Sequence, residues 1–136
     1  MSRMFRNRSN RMTMFAALAV VASVVSTYGY AAMLHTSSKF EGPKANTGTV
    51  SHGMEGGKSV LTLSDDFVVP ETPDPHWQLV DSKGNVYLLA KLKIKGDKVN
   101  KSIEIPSYVK DVAKVQIWCA FAEVNLGEAS FSEPVR

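Results

Sequence analysis

Thiol chemistry is almost absent from this chain: its 136 residues contain one cysteine, Cys119. With no second cysteine, no disulfide can form within the chain. There is no CxxC, no CxxCH, and no HxH or HxxxH among His35, His52 and His76. The familiar spacings for a zinc site or covalent c-type haem are therefore missing. No GxSxG, P-loop or GxGxxG occurs, so nothing marks an acyl-transfer, nucleotide or dinucleotide site. Internal repeats are not visible. Acidic residues are also missing from the first 38 positions, where the only charges are Arg3, Arg6, Arg8 and Arg11.

An apolar segment comes directly after those arginines. Met14 to Val25 reads MFAALAVVASVV, and Met12 to Ser38 contains no Asp, Glu, Lys or Arg. A positive start and a short apolar run are the pattern of a secretory signal. Gly29-Tyr30-Ala31 places small residues where a peptidase cleaving after Ala31 needs them. A helix over Met12 to Met33 would also be long enough to cross a membrane. Residues 1–34 are thus expected to form one N-terminal apolar helix, either a cleaved signal peptide or an uncleaved single-pass anchor. In both cases the arginines stay inside, and the rest lies in the periplasm or at the cell surface. No cysteine comes after the run, which removes a lipoprotein anchor.

The net charge of +3 belongs to this segment. Four of the 16 basic residues precede Met12, leaving 12 against 13 acids in the remainder. A domain with that balance has no electrostatic footprint for nucleic acid. Lys91, Lys93, Lys95 and Lys98 are expected on a solvated face.

Residues 35–57 are rich in Ser, Thr, Gly, Pro and Asn and read as a linker and entry loop. From residue 58 to 136, short apolar runs alternate with turns. Strands are expected over Ser59–Leu63, His76–Val80, Val86–Ile94, Lys101–Ile105 and Val112–Val124. Turns fall at Ser64–Asp66, Asp81–Asn85 and Lys95–Asp97, and three prolines interrupt residues 70–75. Period-two alternation recurring at this spacing predicts an all-β domain, an antiparallel β-sandwich or barrel-like fold. Within Val112–Val124, one face is expected to hold Val115, Ile117, Cys119 and Phe121. The other holds Gln116, Trp118, Ala120 and Ala122. Both are mainly apolar, so the strand is expected to be central and covered on both sides.

Cys119 is the sharpest candidate for chemistry. A free cysteine is most often a small buried hydrophobe. Its active alternatives are a redox thiolate or a ligand to haem or a metal. No cation stands beside it in the strand to lower its pKa.

Several segments together resemble the DM-thirteen domain family. They are Phe40, Gly48-Thr49-Val50 with His52, Leu61–Phe67 (LTLSDDF), Pro73–Leu79 (PDPHWQL), Ile103–Pro106 (IEIP) and, most specific, Val115–Ala129 (VQIWCAFAEVNLGEA). The likeness begins near residue 40 and covers the exported domain. Leu126 replaces an aromatic of the family pattern, and Phe121 and Val124 sit slightly off its spacing. The resemblance implies a small extracytoplasmic β domain of electron-transfer systems. Its cysteine would serve as a bare redox thiol or prosthetic-group ligand, with haem as the group. That role maps onto Cys119, with Trp118 as its neighbour. The implied partner is an extracytoplasmic redox or cell-surface protein, with the membrane added if the N-terminus is uncleaved. The competing expectation is a non-catalytic binding or structural module in which Cys119 only packs. Either way the chain reads as an electron-transfer or binding domain rather than a stand-alone enzyme.

Overall fold

The structure is a computed structural model that describes residues 35–136. The expected N-terminal helix of residues 1–34 lies outside them. Among the described residues, no helix is long and apolar enough to cross a membrane.

The described chain is all-β, with eight strands: β1 His35–Thr36, β2 Val50–Glu55, β3 Lys58–Leu63, β4 Pro75–Val80, β5 Val86–Lys91, β6 Ser102–Glu104, β7 Val112–Cys119 and β8 Val124–Val135. They form two four-stranded sheets, in the orders β1-β2-β3-β6 and β5-β4-β7-β8. Every named pairing is antiparallel. One apolar cluster joins them: Val50 and Leu61 of the first sheet pack with Trp77, Leu79, Val115 and Ile117 of the second. This is a β-sandwich core, built from residues that alternate along each strand.

Three expectations are corrected. First, residues 35–57 are part of the fold rather than a linker. They carry β1 and β2, and Phe40, Ala45 and Val50 are fully buried. Between these strands the chain runs along β8. Ser38 N–H donates to Ser130 O (2.8 Å), Glu41 N–H to Glu128 O (2.9 Å), and Ala45 N–H to Leu126 O (2.8 Å). Its polar composition reflects backbone pairing along β8, while single apolar residues anchor it to the core.

Second, β7 is central, between β4 and β8, but covered on one face only. Val112, Val115, Ile117 and Cys119 are buried, whereas Lys114 is exposed and Gln116 and Trp118 are half-buried. Gln116 stays out of the core because it belongs to a polar ladder on the outer face. It accepts from Gln78 Nε2 at 2.7 Å and donates to Glu128 Oε1 at 3.1 Å.

Third, the strand expected to reach Val124 ends at Cys119. Residues 120–123 turn instead, closed by Glu123 N–H to Cys119 O at 2.8 Å. Glu123 sits at φ 57°, a left-handed conformation uncommon outside glycine. Phe121, expected on the buried face, is 76 % exposed.

The solvated lysine face is observed: Lys91, Lys93, Lys95 and Lys98 are all exposed. The Asp81–Asn85 turn also forms, with Gly84 at φ 87°.

Candidate functional site around Cys119

Cys119 closes β7 at one end of the second sheet, opposite Pro75 of β4 and Val124 of β8. The register with Pro75 brings the proline-rich loop before β4 over the end of β7. Ala120 N–H donates to Asp74 O at 3.0 Å, which ties that loop to the 120–123 turn. The thiol is 1 % exposed.

Its surroundings are not purely aliphatic. The backbone N–H of Ala122 does most to lower the pKa of the thiol. Burial opposes this, and the backbone N–H groups of Asp74 and Phe121 with the Thr72 hydroxyl add to the lowering. The net direction is downward. Donors that point at a sulfur favour its thiolate form. The Thr72 hydroxyl counts among these influences, yet Thr72 Oγ1 is buried without a hydrogen-bond partner. Its hydroxyl thus acts as a dipole near the sulfur rather than through a formed hydrogen bond.

Trp118 does not shield the thiol. Successive residues of a strand point to opposite faces, and Trp118 lies half-buried on the outer face, in register with His76 of β4. His76 Nδ1 meets Leu89 O at 2.8 Å, and its Nε2 lies 3.2 Å from Asp74 Oδ1. Lys91 Nζ reaches the same carboxylate oxygen at 3.2 Å. Burial pushes the Asp74 carboxyl up, but Lys91 and His76 together hold it below its usual range. Asp74 therefore links the Cys119 end of the sandwich to an outer charged cluster. The sequence reading missed this link, although the DPH tripeptide placed both residues two apart.

Haem ligation by Cys119 turns on the surroundings of its sulfur. Axial ligation needs one open side of Sγ. At 1 % exposure, under the 120–123 turn and the 70–75 loop, the sulfur has none. The residues here do not fit a haem. Among the described residues no group of three or more His, Cys, Asp and Glu stands ready for a metal.

The other two histidines, read from sequence as unrelated, are brought together. The β1–β2 register sets His35 directly opposite His52. Their Nδ1 atoms are 3.2 Å apart, and His52 Nε2 lies 2.6 Å from Ser59 Oγ on β3. The pair is on the first sheet, whereas Cys119 is on the second.

Compared with protein-family models, curated proteins and solved structures, the chain matches none. The likeness to the DM-thirteen family therefore stands on the short motifs of the sequence alone.

Proposed function

We propose that the chain is an extracytoplasmic redox module, exported or held at the membrane by residues 1–34, whose working group is the Cys119 thiol. What supports this reading is the place of Cys119 at the end of β7, where the backbone N–H of Ala122 does most to lower the pKa of its thiol. A lowered thiol pKa favours the thiolate form, and the thiolate is the nucleophile in thiol chemistry.

With one cysteine, the reaction must be intermolecular. The Cys119 thiolate attacks one sulfur of a partner's disulfide. The partner's S–S bond breaks, a mixed disulfide forms, and the other partner sulfur leaves as a thiolate. A second thiol attacking the mixed disulfide returns Cys119 to its reduced form. The four-residue turn over the sulfur has to lift for the attack to occur. Phe121, Ala122 and Glu123 are exposed, so little apolar packing opposes its lifting.

The test is incubation of the full chain with an oxidised small disulfide such as glutathione disulfide under native conditions. A mass increase at Cys119 that a dithiol reverses is expected, with none in Cys119→Ser. An unmodified native chain refutes the redox role.

The 1 % exposure of Cys119 favours a second reading: a non-catalytic binding or structural module at the cell surface, with Cys119 as core. On that reading the thiol reacts only on global unfolding, and Cys119→Ser changes stability alone.

A further inference from the structure

We propose that His35 and His52 form a two-histidine site for a divalent first-row transition ion at the β1–β2 edge, with Cu(II) held most tightly and Zn(II) next. This site is independent of the Cys119 reading.

The cross-strand register places the two rings opposite each other. Their Nδ1 atoms stand 3.2 Å apart. Two imidazole nitrogens bound to one tetrahedral ion stand about 3.3 Å apart, given metal–nitrogen bonds of about 2.0–2.1 Å. The ring centroids are 5.4 Å apart and the planes differ by 21°. That separation exceeds the nitrogen–nitrogen distance by about two ring radii, so the two Nδ1 atoms face each other. Without an ion, this geometry suits one shared N–H. An entering ion displaces that proton and moves one ring sideways.

The ring free to move is His35, which is exposed on a strand of two residues. His52 is the fixed partner, 5 % exposed. In the tautomer that donates from Nε2 to Ser59 Oγ at 2.6 Å, His52 keeps its Nδ1 lone pair aimed at His35. A hydrogen bond on the remote ring nitrogen is the usual support of a metal-binding histidine. Glu133 of β8 lines the same groove as His35. No third protein ligand completes a cluster among the described residues. The remaining positions belong to water or to a ligand from outside, which makes the site open. Imidazole ligands suit copper, zinc and nickel, and affinity for such a set peaks at Cu(II).

The test uses the full chain with Zn(II) alone and Cu(II) alone, read by calorimetry and by the histidine ring resonances. One ion per chain is expected, Cu(II) binding more tightly than Zn(II). Zn(II) should shift the ring signals of His35 and His52 and leave those of His76 in place. Copper should show nitrogen hyperfine coupling from two imidazoles. His35→Ala, at an exposed position, should weaken binding at least tenfold. Ser59→Ala should weaken it by about tenfold, at the low end for loss of a supporting hydrogen bond. His76→Ala should leave it unchanged. Unaltered affinity in His35→Ala, or no uptake by the unaltered chain, overturns the assignment.

Discussion

Asp81 collects four hydrogen bonds at one carboxylate. Its Oδ1 accepts from Lys83 N–H (2.9 Å) and Asn85 N–H (2.8 Å), and its Oδ2 from Asn85 Nδ2 and Tyr87 OH (both 2.9 Å). The Asn85 side chain contributes most to holding the carboxyl at about 2, against the opposing effect of burial. A carboxyl depressed on folding stabilises the protein above its unfolded pKa, because the unfolded chain binds the proton more readily. That contribution is complete above about pH 5, declines below the ordinary carboxyl pKa, and is gone below about 2. The urea midpoint should therefore fall between pH 5 and pH 2. In Asp81→Asn the midpoint should be lower at pH 7 and fall less steeply with acid. Equal acid sensitivity in the two proteins would show that Asp81 has no part in it. The turn around Asp81 was legible because DSKGN holds strong turn residues. The surroundings of Cys119 were not. The backbone groups that lower its pKa come from a turn without glycine or proline and from a loop some 45 residues earlier, and neither leaves a mark in side-chain pattern. The His35–His52 pair was hidden for a similar reason, since only the strand register brings the two together.

The segment between β1 and β2 is the element most at odds with its composition. It is held against β8 through a pair of glycines. A Cβ on Gly42 would strike Gly127 Cα and Leu126 O, and one on Gly127 would strike Ala45 O. These are backbone atoms, which cannot step aside as a side-chain tip can. Gly127→Ala should therefore cost about 3 kcal/mol or more, at or above the usual range for overpacking, measured by urea unfolding. A cost within about 0.5 kcal/mol, the range of an ordinary surface change, would contradict the close approach. Strands β3, β4 and β6 were readable because each is short, alternating and bounded by turn residues. The end of β7 was not, because the apolar run Val112–Val124 continues through the turn. Hydrophobicity alone could not show that Phe121 belongs to that turn and faces solvent. Phe121→Ser should accordingly change stability by less than about 0.5 kcal/mol, as at an ordinary surface site.

At the scale of the molecule, the sandwich depends on its first strands. Alternation alone gave the all-β class and left a sandwich and a barrel-like fold both open. It set the start of the domain at Lys58, whereas β2 pairs with β3 along its full length, Val50 to Glu55 against Leu63 to Lys58. A chain beginning at Lys58 loses β2 with the buried Phe40, Ala45 and Val50, and should show no cooperative unfolding transition. One beginning at His35 should unfold in a single transition. Cooperative melting of the shorter chain would show that the entry segment is dispensable. The redox reading depends on the same architecture, because the site sits where β7 ends and two connecting segments meet. Its most direct measurement is the rate of Cys119 alkylation in the native protein as urea is raised through concentrations below the unfolding transition. The expected rate is almost independent of urea, set by local lifting of the 120–123 turn, with a pH midpoint below that of an ordinary thiol. A rate that climbs with the full urea dependence of global unfolding would contradict the redox reading and leave Cys119 as core packing.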